Sequence, residues 1–368
     1  MGEGFARCGP GRAPGSAVTA CTDRKVNPGI AYALLGAALF GASTPIAKLL
    51  VGDIGPVMLA GLLYAGSGVG LGLWLAVRGS LSRTGLAPGD YKWLAAAVIS
   101  GGIIGPVLLM LALAASSASS VSLLLNLESV FTALLAWFVF RENFDRRLML
   151  GMSLIVCGGV ILGWRPGEIA TSWPALAVAG ACLCWALDNN FTRKISAGDS
   201  VKIAGIKGLA AGTVNLCIAV ALGAALPAPE LAAAAALVGL LGYGVSLALF
   251  VVALRQLGTA RTGAYFSTAP FIGAAASFAL LGEAPDTSFW VAAVLMAVGV
   301  ALHLTERHRH MHRHEELTHT HPHTHDEHHR HDHDFAWDGT EPHSHTHKHD
   351  LFSHSHAHFP DIHHRHSH

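Results

Sequence analysis

The chain has 368 residues, 52% hydrophobic and only 13% charged, with no net charge when histidine is neutral. Soluble domains carry about 25% charged residues, so this composition excludes an ordinary water-soluble globule, and the balanced charge leaves no footprint for nucleic acid. All 24 histidines lie at or beyond His303, so an apolar body is joined to a polar, histidine-loaded tail.

Residues 1–28 hold Arg and Lys but no short apolar core with a cleavage site, which predicts a disordered cytoplasmic leader and not a signal peptide. A membrane-crossing helix needs about 20 mostly apolar residues. Ten such runs follow: 29–51, 57–77, 93–114, 119–140, 147–164, 172–192, 203–223, 231–254, 263–281 and 287–304. Many are rich in Gly and Ala, which lets helices approach closely in lipid. The predicted fold class is therefore an all-α integral membrane protein with ten transmembrane helices.

Charge tests that count. With the N-terminus inside, Arg7, Arg12, Arg24 and Lys25 lie inside, as do Arg78, Arg83 and Lys92, then Arg141, Arg146 and Arg147. Arg193, Lys194, Lys202 and Lys207 join them, followed by Arg255 and Arg261. Only Lys48 and Arg165 fall at the outer face. This bias follows the positive-inside rule and predicts an inner-membrane protein with both termini cytoplasmic. Lys48 is expected to snorkel to the outer interface.

The two halves resemble each other. Residues 123–143, LLLNLESVFTALLAWFVFREN, lie over residues 264–284, AYFSTAPFIGAAASFALLGEA, so Glu142 falls on Glu283 and, without a gap, Gly158 on Gly299. Five helices per half is an odd number, so the second half enters from the opposite side and the repeat is inverted, a transporter signature. The motif N-L-E-x-V-F-T-A-L-L-A-W (Asn126 to Trp137), followed by Glu142, resembles that of EamA-type permeases of the drug/metabolite transporter superfamily. Its second copy runs from Ser267 to Glu283 and includes Pro270. The resemblance spans about residues 29–304 and implies two inverted five-helix EamA repeats, 29–164 and 172–304. Two positions depart from the pattern: Ser129 stands where the family often has Pro, and Ala269 stands opposite Glu128. Family members are associated with amino acids, other metabolites, drugs and nucleotide sugars, so the substrate stays open.

Ionisable side chains inside a span cost about 2.5–3.5 kcal/mol on insertion scales. Glu128 lies roughly 13 Å into the fourth helix at about 1.5 Å per residue. It is a candidate to carry a proton or meet a cation; the plainer reading is a hydrogen bond that fixes packing. Asp188, Asn189 and Asn190 form a polar patch near the cytoplasmic end of the sixth helix. They either line a substrate path, since amides both donate and accept, or Asp188 merely pairs with Lys207 or Arg193. Asn126 and Asn215 are further pore candidates. Glu142 and Glu283 read as structural residues at helix ends.

The cysteines, Cys8, Cys21, Cys157, Cys182, Cys184 and Cys217, form no CxxC pair. The four in apolar runs read as small packing residues. Residues 1–302 hold no histidine for a nucleophile–His pair and no GxxxxGK[ST] loop, so no enzyme and no required cofactor is expected.

Residues 305–368 contain 23 His, 11 acidic residues and 6 Lys or Arg. Such a segment buries too little apolar surface to fold alone, so a disordered cytoplasmic tail is expected. Its H-x-H repeats suit Zn, Ni, Co or Cu, because neutral imidazole is a good ligand for these ions. The candidate ligands are His319, His321, His323, His325, His328, His329, His331 and His333, then His343, His345, His347 and His349, then His354, His356, His358, His363, His364, His366 and His368. Asp326, Glu327, Asp332 and Asp334 add hard ligands. An unperturbed imidazole titrates at about 6.5, so metal would be held near neutrality and released below about pH 6. Four readings stay open: a metal transporter, a metabolite or drug exporter with a metal-responsive tail, a polycationic tail docking on anionic lipid, and a membrane-bound metal sensor that moves nothing. The expected partners are membrane lipid, a small-molecule or metal-ion substrate, and a second copy of the chain in a homodimer.

Overall fold

Lipid offers no hydrogen bonds to a peptide backbone, so apolar runs in it must close their own ladders. The computed structural model builds the body from α-helices. It describes residues 28–79, 88–140, 146–164, 172–195, 199–257, 259–304, 309–314, 317–323, 343–349 and 352–357. In the first half these are α1 (Pro28–Val51), α2 (Pro56–Val77), α3 (Tyr91–Ala97), α4 (Gly105–Ala115), α5 (Ala118–Leu124), α6 (Leu127–Phe140) and α7 (Arg146–Gly163). The second half has α8 (Trp173–Ile195), α9 (Ser200–Ala221), α10 (Pro229–Gly239), α11 (Ser246–Leu257), α12 (Thr259–Phe266), α13 (Ala269–Leu281) and α14 (Thr287–Leu304). Among the described residues, seven helical stretches are long and apolar enough to cross a membrane: Pro28–Val51, Pro56–Val77, Tyr91–Ala115, Ala118–Leu135, Arg146–Gly163, Val201–Ala221 and Pro229–Ala253.

The helix starts follow from the sequence. Pro56, Pro106, Pro229 and Pro270 occupy the first or second helical position, where a missing N–H costs nothing. Asp199 caps α9 by accepting from the Val201 and Lys202 amides.

Two runs that read as continuous in the sequence are broken. The first breaks between α5 and α6 at Leu125–Asn126, where the Asn126 side chain donates to the Leu123 carbonyl at 2.9 Å. Such local side-chain bonds compete with the helical ladder. The second breaks between α12 and α13 at Ser267–Thr268, just before Pro270. The shift that lays Gly158 on Gly299 lays Asn126 on Ser267, so the breaks match. Two π-helical turns, Val98–Ile104 between α3 and α4 and Leu240–Val245 between α10 and α11, match to within one residue by the same shift.

Packing obeys the exchange of halves. Helix α1 packs on α13 as α8 packs on α6, and α1 packs on α11 as α8 packs on α4. The pairs α2 with α9 and α7 with α14 cross between the halves. Small residues make these contacts. A Cβ on Gly208 would lie 2.6 Å from the Gly68 amide nitrogen, and one on Gly158 would lie 2.8 Å from Met296. Leu35, Leu49, Leu73, Trp74, Val77, Trp164 and Val294 are exposed. An apolar surface of this kind belongs against lipid tails. Cys182 is buried as expected, whereas Cys157 and Cys217 are exposed on the outer surface of the bundle.

Four segments of the tail are extended and paired. Strand β1 (Arg309–His314) pairs antiparallel with β4 (Phe352–Ala357), and β2 (Leu317–His323) with β3 (His343–His349). Histidine at every second position of β1, β2 and β3 gives these stretches the period of a strand, and paired backbones satisfy their own polar groups. The leader, Glu142, and His325, His328, His329, His331, His333, His358, His363, His364, His366 and His368 lie outside the described residues.

Candidate functional site

Polar side chains gather beside the first of the two matched interruptions. Glu128 sits in the first turn of α6, directly after the break. Asn189 on α8 donates to its Oε1 at 2.7 Å. Among the described residues no ion pair joins Glu128, so its charge meets only an amide.

Next to Asn189 on α8, Asp188 is buried and forms an ion pair with Lys207 of α9. Lys207 Nζ lies 2.5 Å from Oδ1 and 2.7 Å from Oδ2. Thr192 Oγ1 donates to the same carboxylate at 2.9 Å. Of the two partners that the sequence offered to Asp188, the structure supplies Lys207. Asp188 thus has a counter-charge, and among the described residues Glu128 has none.

The π turn of the first half serves as the acceptor strip. A π turn widens the ladder and frees carbonyls. Tyr64 OH on α2 donates to the Gly101 carbonyl at 2.8 Å, and Trp185 Nε1 on α8 donates to it at 3.0 Å. Asn215 Nδ2 on α9 donates to the Gly102 carbonyl at 3.1 Å. Gly101 is required here, because a Cβ at this position would collide with the Asp188 carboxylate. Asn215 and Asn126 are buried, and the Oδ1 atom of each has no hydrogen-bond partner. Asn190 donates to the Ala186 carbonyl of its own helix at 2.7 Å, so it serves α8 and not Glu128.

An aromatic chain lies beside these groups. Phe40 of α1 meets Trp185 and Tyr243 with centroids 6.2 and 5.8 Å apart, and Tyr243 meets Tyr64 at 5.4 Å. The structure thus joins Glu128 to Asn189, Asp188 to Lys207, and Asn215 to the π turn. The sequence reading missed Tyr64, Trp185, Gly101 and Thr192. The signal that could have found Thr192 is its i, i+4 spacing from Asp188; the pair Gly101–Gly102 beside Pro106 marked the strained turn.

Two further charges act at helix ends. Lys48 Nζ donates to the Leu113 and Ser116 carbonyls at 2.5 and 3.0 Å, capping α4. Glu283, after α13, accepts from the Ala118 and Ser119 amides at 2.7 and 2.9 Å, capping α5 from the opposite half. That is the structural role expected of it.

Residues 27–164 and 172–305 each match the EamA-like transporter family. A protein from Methanothermobacter thermautotrophicus described as an uncharacterized transporter is 29% identical over 280 residues, covering 71% of this chain and 81% of its own length. A solved crystal structure superposes with a TM-score of 0.58 at 19% identity, covering 74% of this chain and 95% of that one. At that identity the likeness speaks for the fold alone.

Proposed function

This chain belongs to the EamA-like transporter family, and from that premise we propose that it is a secondary-active permease moving a small solute by alternating access, with a cytoplasmic tail that binds divalent transition metals. In this reading α8, the α12–α13 pair and α14 complete ten crossings with the seven stretches named above. The two five-helix repeats are inverted, both termini lie on the cytoplasmic side of the inner membrane, and a homodimer is its oligomeric form. The exchange of packing partners between the halves supports the repeat.

The observation that carries the proposal is the pair of matched helix breaks with one uncompensated carboxylate at the first. Discontinuous helices near the midplane are where transporters of inverted-repeat design bind substrate and coupling ion. Only the first half holds an acid there, since Ala269 occupies the matched position. Glu128 is assigned the role of binding a proton or a cationic cargo. Asn126, Asn189 and Asn215 line the path, with Asn190 beside them, and the Asp188–Lys207 pair holds α8 and α9 in register around it. No cofactor is required for this work.

The tail reading rests on the histidine repeats, with Zn, Ni, Co or Cu as the ligand class. It serves metal export or metal-responsive control of another flux. A strain lacking the protein, complemented with wild type or Glu128→Gln and grown against graded Ni, Co, Zn and Cu, tests the proposal. Wild type is expected to change tolerance and cell metal content for at least one ion, and Glu128→Gln to abolish the change. Equal complementation by Glu128→Gln removes Glu128 from the mechanism. Metal bound to the protein with no change in growth or content identifies a sensor and contradicts transport of these ions.

A further inference from the structure

The corner between α4 and α5, at Ser116–Ser117, lies on the outer side in the ten-crossing reading. A helix that ends at a corner leaves carbonyls without partners, and one that begins there leaves amides without them. Lys48 of α1 takes the carbonyl side, donating to Leu113 and Ser116. Glu283 takes the amide side: its Oε1 accepts from the Ala118 amide at 2.7 Å and its Oε2 from the Ser119 amide at 2.9 Å. The two ties differ in origin. Lys48 belongs to the same half as the corner, whereas Glu283 reaches it from the other half. Gly282 makes that reach possible: it ends α13 at a φ of 63°, a left-handed turn that other residues resist.

Beneath this tie α13 packs on both α1 and α5. A Cβ on Gly273 would lie 2.8 Å from the Gly41 carbonyl and 2.8 Å from Ser122 Oγ, and one on Gly41 would collide with the Ala269 carbonyl. Ser122 is fully buried in this seam, and its Oγ has no hydrogen-bond partner among the described residues. A buried hydroxyl left unpaired carries its full desolvation cost. Water reaching the opened seam would relieve it. The closed seam therefore carries a bias toward opening, and the carboxylate at its rim offsets that bias.

We infer that Glu283 is the latch of an outer gate: its carboxylate fastens α13 to the first turn of α5 while the outer end is closed, and lets go when that end opens. This rests on the alternating-access reading and adds the contact that holds one of its two states. Hydrogen bonds to a carboxylate are stronger than neutral ones, so the pair holds the seam shut. Glu283 is only half-buried, so water can take over both sides of each bond as it breaks. The Lys48 tie stays within its own half and travels with the corner.

The test reads how fast a membrane-impermeant maleimide labels Ser122→Cys on intact cells, in the full chain freed of its own cysteines. Two lesions break the latch from opposite sides. Glu283→Gln keeps the length but leaves one oxygen for two amides. Ala118→Pro removes a donor at the first position of α5, where proline suits the helix; Ser117 before it is already extended, at φ −66° and ψ 143°. Each is expected to raise the labelling rate about tenfold or more, and the double variant no further than the larger single one. Lys48→Met loosens the same corner within its own half and should leave the rate unchanged. Asp53→Cys, exposed in the turn between α1 and α2, should be labelled equally in every background. If Asp53→Cys is labelled while neither lesion speeds Ser122→Cys, or only one does, the latch is refuted and the topology stands. A rise with Lys48→Met equal to that with Glu283→Gln also refutes it, since any loosening of the corner would then suffice. If Asp53→Cys is labelled only after the membrane is opened, the topology fails and the outer latch with it.

Discussion

Glu128, half-buried, and Asp188, buried, are two carboxylates with different partners. Asp188 pairs with Lys207 and accepts a hydrogen bond from Thr192, whereas among the described residues Glu128 meets only Asn189. Removing one member of a buried ion pair leaves a charge stranded, at a cost of about 3–5 kcal/mol, whereas replacing both with apolar groups is often near neutral. Lys207→Met should therefore destabilise the protein in thermal unfolding, and Lys207→Met with Asp188→Leu should recover most of the loss. Gly101→Ala should mimic the single loss, because its Cβ would displace the Asp188 carboxylate; an unchanged melting temperature would refute that packing. Ionisable residues in apolar runs were legible in the sequence because their cost makes them stand out. Tyr64 and Trp185 were not, because an aromatic residue in a span is ordinary until its polar atom is seen on a carbonyl.

At the scale of elements, the helices were legible from hydropathy, and their interruptions were not. A run of apolar residues reports length but not a missing hydrogen bond, so the π turns passed unseen and only Pro270 hinted at the second break. The pairing register of the tail was equally hidden, since H-x-H repeats fit two phases alike. Helix ends follow local rules and are testable singly. Asp286 caps α14: it accepts from the Phe289 amide at 2.8 Å and from the Ser288 hydroxyl at 2.9 Å. The Phe289 amide first, then the Ser288 hydroxyl, hold its carboxyl below the usual carboxylate range. A lowered value means the stabilisation is present above the ordinary carboxylate range and lost as pH falls through the folded-state value. Asp286→Ala should cost about 1 kcal/mol near neutral pH, and the gap from wild type should close on acidification. A gap that is constant with pH would show that the carboxylate is not the cap.

For the whole molecule, the sequence carried the duplication, and the packing shows what the duplication does. The main contacts of α1, with α11 and α13, have counterparts in those of α8 with α4 and α6, and the seams α2–α9 and α7–α14 join the halves through small residues. The rocking motion proposed above turns these two units about a fixed centre, where the proposal sets Glu128. All of this depends on an odd number of crossings per half, with the tail left in the cytosol.

Cysteine labelling reads that directly. In a cysteine-free background, Ser117→Cys, exposed between α4 and α5, and Asp350→Cys in the tail are treated with a membrane-impermeant maleimide. The account predicts that Ser117→Cys is labelled on intact cells and Asp350→Cys only after the membrane is opened. Labelling of Asp350→Cys on intact cells, or protection of Ser117→Cys, would contradict the inverted ten-helix arrangement.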